Sequence, residues 1–487
     1  AAQLNNATSL QELDLQNNCD ESEDGVNSAD CSVVEVDNVV GPLSQTNAAA
    51  DSSLADISQN NQIAGPGGDF LLSHGIVQIL TGSNDCDQTG PGDNLAECNI
   101  SGTTNDITEL NQANEVTGAD DTAAISQDNG AAIIQAIDAV NDCDESSTTS
   151  VNNVADCQQR TDLDNFIGVV GQSNTADAQD FSVADQDNDV ALSQGLLAGN
   201  DCDSTDENGA RCNNDGEGNV NDIAAITQEN EALLSVDAIS VQLNELGVNQ
   251  NVALQNDCDE SEDGISNLDC VNDDLSNFVG PVTQTSFSEA GDEAVTATND
   301  QSNRAAIAQN LLATNDCDED GAGDNLANCN NLDLVSNSVS SITQTNNAPT
   351  VADDFAQHNT LAIFQVIEAT NDCDEEGDGN NGFGVDICSN EVSNFIGPVG
   401  QSNTAAGTEV TDISQDDTAA VAQVIVAVND CDQSGPGDNL AQCSNDVSNS
   451  ISSLTQSNDA TGDQFTDIFQ DNLAAMALSL DVNNNCD

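Results

Sequence analysis

Cysteine and aspartate are the residues whose spacing in this chain could do chemistry. Sixteen of the seventeen cysteines fall into consecutive pairs 10 to 15 residues apart. The pairs are Cys19/Cys31, Cys86/Cys98, Cys143/Cys157, Cys202/Cys212, Cys258/Cys270, Cys317/Cys329, Cys373/Cys388 and Cys431/Cys443. Loop-closing disulfides are the natural chemistry, each contributing about 3 kcal/mol in the chain-entropy description. Bridges between equivalent cysteines of stacked units are an alternative that spacing leaves open. Cys486 is left over, and an odd cysteine suggests a bond to a neighbouring subunit. Zinc is disfavoured, because C-x-x-C is absent and the histidines are His74 and His358 alone.

The loops between paired cysteines carry hard oxygen ligands. Asp316, Asp318, Asp320 and Asp324 surround Gly321 and Gly323, with related sets at Asp257, Asp259 and Asp263 and at Asp372, Asp374 and Asp378. Alternating carboxylates with glycine turns suit a six-to-eight-coordinate calcium ion. The run D-x-D-x-D-G-x-G-D resembles the calcium-binding type 3 repeats of thrombospondins, which implies calcium as a ligand. A solvated acidic turn explains the same residues, and the loops after Cys143 and Cys202 lack most of the set. No enzyme is expected. Arg160, Arg211 and Arg304 are isolated, the acids are spread over every unit, and no nucleophile–base–orienter set or phosphate loop occurs.

The elements that must position these residues form a repeat. Gln3, Gln127, Gln186, Gln242, Gln301, Gln357, Gln415 and Gln470 each precede a cysteine by sixteen residues; Gln59 precedes Cys86 with an eleven-residue insertion between. A spacing held through such divergence implies stacked repeats. The units are a leading half, 1–31, then 32–98, 99–157, 158–212, 213–270, 271–329, 330–388, 389–443 and 444–487. Each full unit has a first arm, in which Asn precedes Gln by seven residues, and a second arm ending at N-D-C-D or N-N-C-D. The first-arm glutamines are Gln45, Gln112, Gln172, Gln228, Gln284, Gln344, Gln401 and Gln456.

Alternation of period two from Gln415 to Val426 predicts strands, and β-branched residues and Asn argue against helix in the alanine-rich stretches. The apolar tail Val424–Val428 reads as a strand covered on both faces. Gly280-Pro281, Gly397-Pro398 and Ser452-Ser453 predict a bend in the first arm. Buried amides need both donor and acceptor used, and identical Gln or Asn stacked at about 4.7–4.8 Å satisfy one another. The fold expected is therefore all-β: a repetitive β-solenoid or stacked β-arch with Gln/Asn ladders and disulfide-closed acidic loops.

Q-x-N-x-A-x-x-x-Q, as at Gln3, Asn5, Ala7 and Gln11, resembles the repeat of the curlin family of bacterial functional amyloids. The acidic, cysteine-rich character also resembles sheath proteins of filamentous methanogenic archaea. These resemblances imply an extracellular structural protein that self-assembles into an amyloid-like fibre, tube or cell sheath. A monomeric calcium-binding surface adhesin is the alternative.

Bulk composition limits the partners. A formal charge of −84, with three Lys and Arg against 87 acidic residues, excludes nucleic acid and anionic lipid as direct partners. High charge and few aromatics also mark disorder, but disorder needs no fixed spacing. No apolar run approaches eighteen residues, so no membrane span is expected. Ala1-Ala2 would fit a chain cleaved after a small-residue site, and Asn6 and Asn99 sit in glycosylation sequons. So many cysteines suggest an oxidising, extracellular setting, with the chain itself as main partner.

Overall fold

The computed structural model describes residues 2–19, 27–50, 56–63, 75–89, 94–119, 124–146, 154–159, 163–178, 183–204, 210–234, 238–259, 268–290, 297–318, 327–349, 354–376, 386–407, 412–431, 433–434, 441–462 and 467–485. The second arms form one parallel sheet. Ala2–Asn6 and Ser9–Asn18 lie at one edge, followed by Asp56–Ile63 and Ile76–Asp85. Then come Ala124–Asp142, Val183–Asp201, Ala238–Asp257, Ala297–Asp316, Asp354–Asp372, Asp412–Asp430 and Asp467–Asn485 in chain order. The first arms form a second parallel sheet facing it, from Asn27–Val40 and Leu43–Ala50 through Asn94–Ala119 to Ala441–Gly462. The described regular structure is entirely strand, and no helix is long and apolar enough to cross a membrane.

Successive units pair in register. Gln357 stands on Gln415 and Gln415 on Gln470, while Cys388 stands on Cys443. The eleven-residue insertion lies outside the described residues, but the ladder resumes across it: Ile63 pairs with Ala131 and Ile76 with Ile133.

Between the sheets, polar and apolar layers alternate, because each arm turns every second residue inward. In the rung formed by Asp386–Gly407 and Asp412–Asp430, Ile413 packs near Ala405 at the closed end. Next inward stand Gln415 and Asp417 with Gln401 and Asn403, then Ala419 and Val421 against Ile396 and Val399. Gln423 and Asn394 form a second amide layer, followed by Ile425 and Ala427 with Val392. Asn429 and Asn390 precede the sulfur layer, where Cys431 and Cys388 stand.

The first arm bends at two places. At the Gly-Pro position the strand lies so close to its neighbour that a Cβ at Gly280 would sit 1.7 Å from Ala224 O; at Gly168 the distance to Thr108 O would be 1.8 Å. No other residue fits without moving backbone. The second corner holds Glu35, Gly102 and Asp274 at positive φ of 54°, 64° and 50°.

One expectation is corrected. The tail Val424–Val428 is not covered on both sides: Val424 and Val426 are only half-buried, and Leu197, Leu312 and Phe364 in the same sheet are exposed by 41–47%. Outer side chains lean on the same position of the rungs above and below, and no second layer lies over them among the described residues. An apolar groove of ≈ 710 Å³ therefore runs up this face past Ala306, Ala362, Ala420 and Phe364.

Candidate functional site: amide, sulfur and carboxylate columns

The repeat turns single residues into columns running the length of the stack. In the second-arm column, the side-chain amide of Gln59 donates to Gln3, Gln127 to Gln59, Gln186 to Gln127 and Gln242 to Gln186. Gln301, Gln357, Gln415 and Gln470 continue it, each Nε2 reaching the preceding Oε1 at 2.6–2.8 Å. In the first arm, Gln112, Gln172, Gln228, Gln284, Gln344, Gln401 and Gln456 donate in the same sense, starting from Gln45, at 2.7–3.0 Å. Within the stack these amides also reach across to a carbonyl of the opposing arm, as Gln186 Nε2 does to Glu231 O at 2.9 Å, whereas Gln470 on the last strand bonds to Gln415. The interior amides thus use both ends of the group, which is what burial demands.

The asparagines run the other way. Asn5 Nδ2 donates to Asn61 Oδ1, and the chain proceeds through Asn129, Asn188, Asn244, Asn303 and Asn359 to Asp417 Oδ1 at 2.8–3.0 Å. Glutamine columns therefore donate toward the first rung and asparagine columns toward the last. A further glutamine column was not named as a ladder from the sequence: Gln11, Gln78, Gln135, Gln194, Gln250, Gln309, Gln365 and Gln423, eight residues after the ladder glutamine, or nineteen for Gln78 across the insertion. Its signal was present as the recurring Gln–Gln spacing of eight.

The cysteines form a zigzag column, and the pairing differs in part from the loop-closing expectation. Cys19–Cys31, Cys86–Cys98, Cys143–Cys157 and Cys317–Cys329 are bonded within their rung. Cys212, expected with Cys202, is bonded to Cys258, and Cys388, expected with Cys373, to Cys431. Consequently Cys202 and Cys270 are buried thiols, both pushed well above the usual thiol range by burial. The bridges across rungs join unlike cysteines, not the equivalent ones the alternative envisaged. The reason is geometric: each sulfur has a neighbour in its own rung and another in the next. Cys388 Sγ lies 2.7 Å from Cys373 Sγ, and Cys443 Sγ lies 3.0 Å from Cys431 Sγ. Sγ atoms of Cys86, Cys98 and Cys143 all lie within 4.8 Å of one another. With the bridges reduced, such stacked sulfurs could meet a soft metal ion without any C-x-x-C, an arrangement that sequence spacing concealed. Cys486 lies outside the described residues.

The candidate calcium ligands are brought together between rungs as well as within loops. Asp85, Asp142, Asp201, Asp257, Asp316, Asp372 and Asp430 stand one upon another. The aspartates after each cysteine stack beside them, since Gln88 N donates to Asp144 O, Glu145 N to Asp203 O and Ser204 N to Asp259 O. Carboxylate oxygens of Asp87, Asp142 and Asp144 lie within 4.8 Å of one another. Burial first, and then the neighbouring carboxylates, push Asp144 and Asp259 up to about 7 and Asp372 to about 6. Asp316 is raised by the same causes, with Asp257 and Asp374 as its charged neighbours. Asp318 and Asp374 belong to these columns, whereas Asp263, Asp320, Asp324 and Asp378 lie outside the described residues. Carboxylates stacked this closely raise the cost of carrying every charge, which is the condition that favours protons or hard divalent cations at such a site.

His358 stands on the outer face above Asp416, and Arg211 and Arg304 lie on strands of opposite sheets. His74 and Arg160 lie outside the described residues. Two facing parallel sheets coiled from one chain, with amide columns between them, define a parallel β-solenoid. No protein-family model, curated protein or solved structure matches this chain.

Proposed function

We propose that the protein is an extracellular structural subunit whose copies add head to tail into a fibre, tube or sheath. The polarity of the amide columns carries this reading. At the first rung Gln3 Oε1 accepts from Gln59, leaving amide hydrogen on Nε2 to donate outward, and Asn5 spends Nδ2 on Asn61, leaving Oδ1 to accept. At the last rung Gln470 spends Nε2 on Gln415 and keeps Oε1 as acceptor, while Asn484 accepts from Asn429 and keeps Nδ2 as donor. One face is thus the hydrogen-bonding complement of the other. Superposing Gln3 on Gln470 also places Asn5 on Asn472 and Asn17 on Asn484.

Among the described residues no strand pairs with the outer edge of Ala2–Asn18 or of Asp467–Asn485. Leu10 on the first edge is 70% exposed and Met476 on the last 60%. A head-to-tail contact between unlike faces propagates without closing, which gives a filament. The disulfides support an oxidising, extracellular location, and divalent cations held between stacked carboxylates would offset the acidic charge of the polymer. The ladder logic is that of curlin-like fibres, and the acidic, cysteine-rich build suits a cell sheath.

Negative-stain microscopy and fibre diffraction of the purified chain test this. Filaments with a meridional repeat near about 4.8 Å are expected. Sedimentation as a single 50.2 kDa particle at every concentration would overturn it in favour of a monomeric calcium-binding adhesin.

A further inference from the structure

The inner asparagine column of the second arms contains one residue that cannot continue it. Asp417 is fully buried where eight other rungs place Asn. It accepts from Asn359 Nδ2 and from Asn403 Nδ2, both at 2.9 Å. An ionised carboxylate has no hydrogen to pass on, so the column's direction stops there.

The next member, Asn472, shows the consequence. One terminal atom of its amide lies 3.2 Å from Asp417 Oδ2, 2.8 Å from Asn458 Nδ2 and 3.0 Å from Asp471 O. If that atom is nitrogen, it donates to Asp417 but confronts the Asn458 donor. If it is oxygen, it accepts from Asn458 but confronts the Asp417 carboxylate. Other rungs choose oxygen: Asn174 Nδ2 bridges Asp187 O and Asn188 Oδ1, and Asn346 Nδ2 bridges His358 O and Asn359 Oδ1. A proton on Asp417 Oδ2 resolves the conflict, because the carboxyl then donates to Asn472 Oδ1 and the Asn472 nitrogen points out of the stack.

We propose that the edge strand Asp467–Asn485 is the docking surface for the Ala2–Asn18 edge of a second copy, and that a proton on Asp417 makes it competent by turning Asn472 Nδ2 outward onto Asn5 Oδ1. This rests on the head-to-tail reading above and assigns its control. With Asp417 ionised, Asn472 turns its nitrogen inward and presents an oxygen to the Asn5 oxygen, so two acceptors meet. The groups facing Asp417 inside the stack are amides: Asn359 and Asn472 in its own sheet, Asn403 and Asn458 in the other. The titratable side chains nearest in register all face outward: Asp416 on its own strand, His358 and Asp471 on the two flanking strands, and Asp459 on the opposing arm. Burial lifts the Asp417 carboxyl to about 6; Asp416 adds to the rise, while the bonds from Asn359 and Asn403 oppose it. The raised value stabilises the stack below the unfolded value of 3.8 and the contribution fades as pH climbs to about 6.

The test compares the 487-residue chain with Asp417→Asn, using Asp300→Asn as an exposed control. Seeded elongation is followed from pH 5 to pH 7.5, and the unfolding of unassembled chain from pH 4 to pH 7.5. The ratio of wild-type to Asp417→Asn elongation falls about tenfold per pH unit above about 6, and Asp300→Asn tracks the wild type. The wild-type folding constant falls relative to Asp417→Asn over the lower window, with no need for polymer. Identical pH profiles for wild type and Asp417→Asn overturn the proton gate and leave head-to-tail growth standing. Absence of seeded growth by every chain at every pH overturns the assembly reading and the docking surface with it.

Discussion

Leu478 stands directly on Gln423 and ends a column of eight glutamines. Gln423 Nε2 donates to Gln365 Oε1, but Gln423 Oε1 is buried against the leucine with no hydrogen-bond partner. Leu478→Gln supplies a donor in the direction the column already runs. The last strand should gain about 1 kcal/mol of local stability, read as slower amide exchange across 467–485.

Within the stack the opposite change is damaging. Gln309 donates to Gln250 Oε1, Asn277 O and Ser338 O, and accepts from Gln365. Gln309→Leu keeps the volume and removes these bonds. Each buried group left unpaired costs about 1–3 kcal/mol. Exchange protection should drop in Ala297–Asp316 and its two neighbours while distant rungs keep theirs, because each rung touches only adjacent ones.

The carboxylate columns reverse the usual pH response of a protein. The folded values of Asp144, Asp259 and Asp372 lie above the unfolded ones, so the folded stack holds more protons and loses stability as pH rises. The window runs from about 4 to about 7, the range over which Asp144 and Asp259 pass from unfolded to folded behaviour. After solvent screening each contributes about 1 kcal/mol. Thermal unfolding followed by circular dichroism should give a higher midpoint at pH 4.5 than at pH 7.5. Calcium should restore the midpoint at pH 7.5 and do nothing at pH 4.5.

Sulfur pairing should be exchangeable along the column. Cys258→Ser removes the partner of Cys212, and Cys202 is the buried thiol of the same rung. Peptide mapping under non-reducing conditions should then find Cys202 joined to Cys212, with the Cys143–Cys157 bridge unchanged. A Cys212 that stays reduced in that variant would show that the column is not degenerate.

The sequence by itself determined the repeat, its strands and its interior chemistry. Gln415, Asn394 and Cys388 recur at fixed spacing because a parallel stack places like on like, and a buried amide set against an unlike neighbour loses a hydrogen bond at that depth. The bend at Gly280 was equally legible, since proline and glycine report backbone needs locally. What the tertiary structure decided is everything that depends on which rung a group reaches. Cys212 has candidate partners at similar reach before and after it in the chain, and only three-dimensional placement chose Cys258. The acidic loops read as separate ligand sets, yet Asp257, Asp316 and Asp372 share one column because register joins residues 56 to 59 positions apart. Asp417 looked like one more acid among 87. Its meaning comes from being buried in a line of donors that it interrupts, and the direction of a hydrogen-bonded line is a property of the assembled stack.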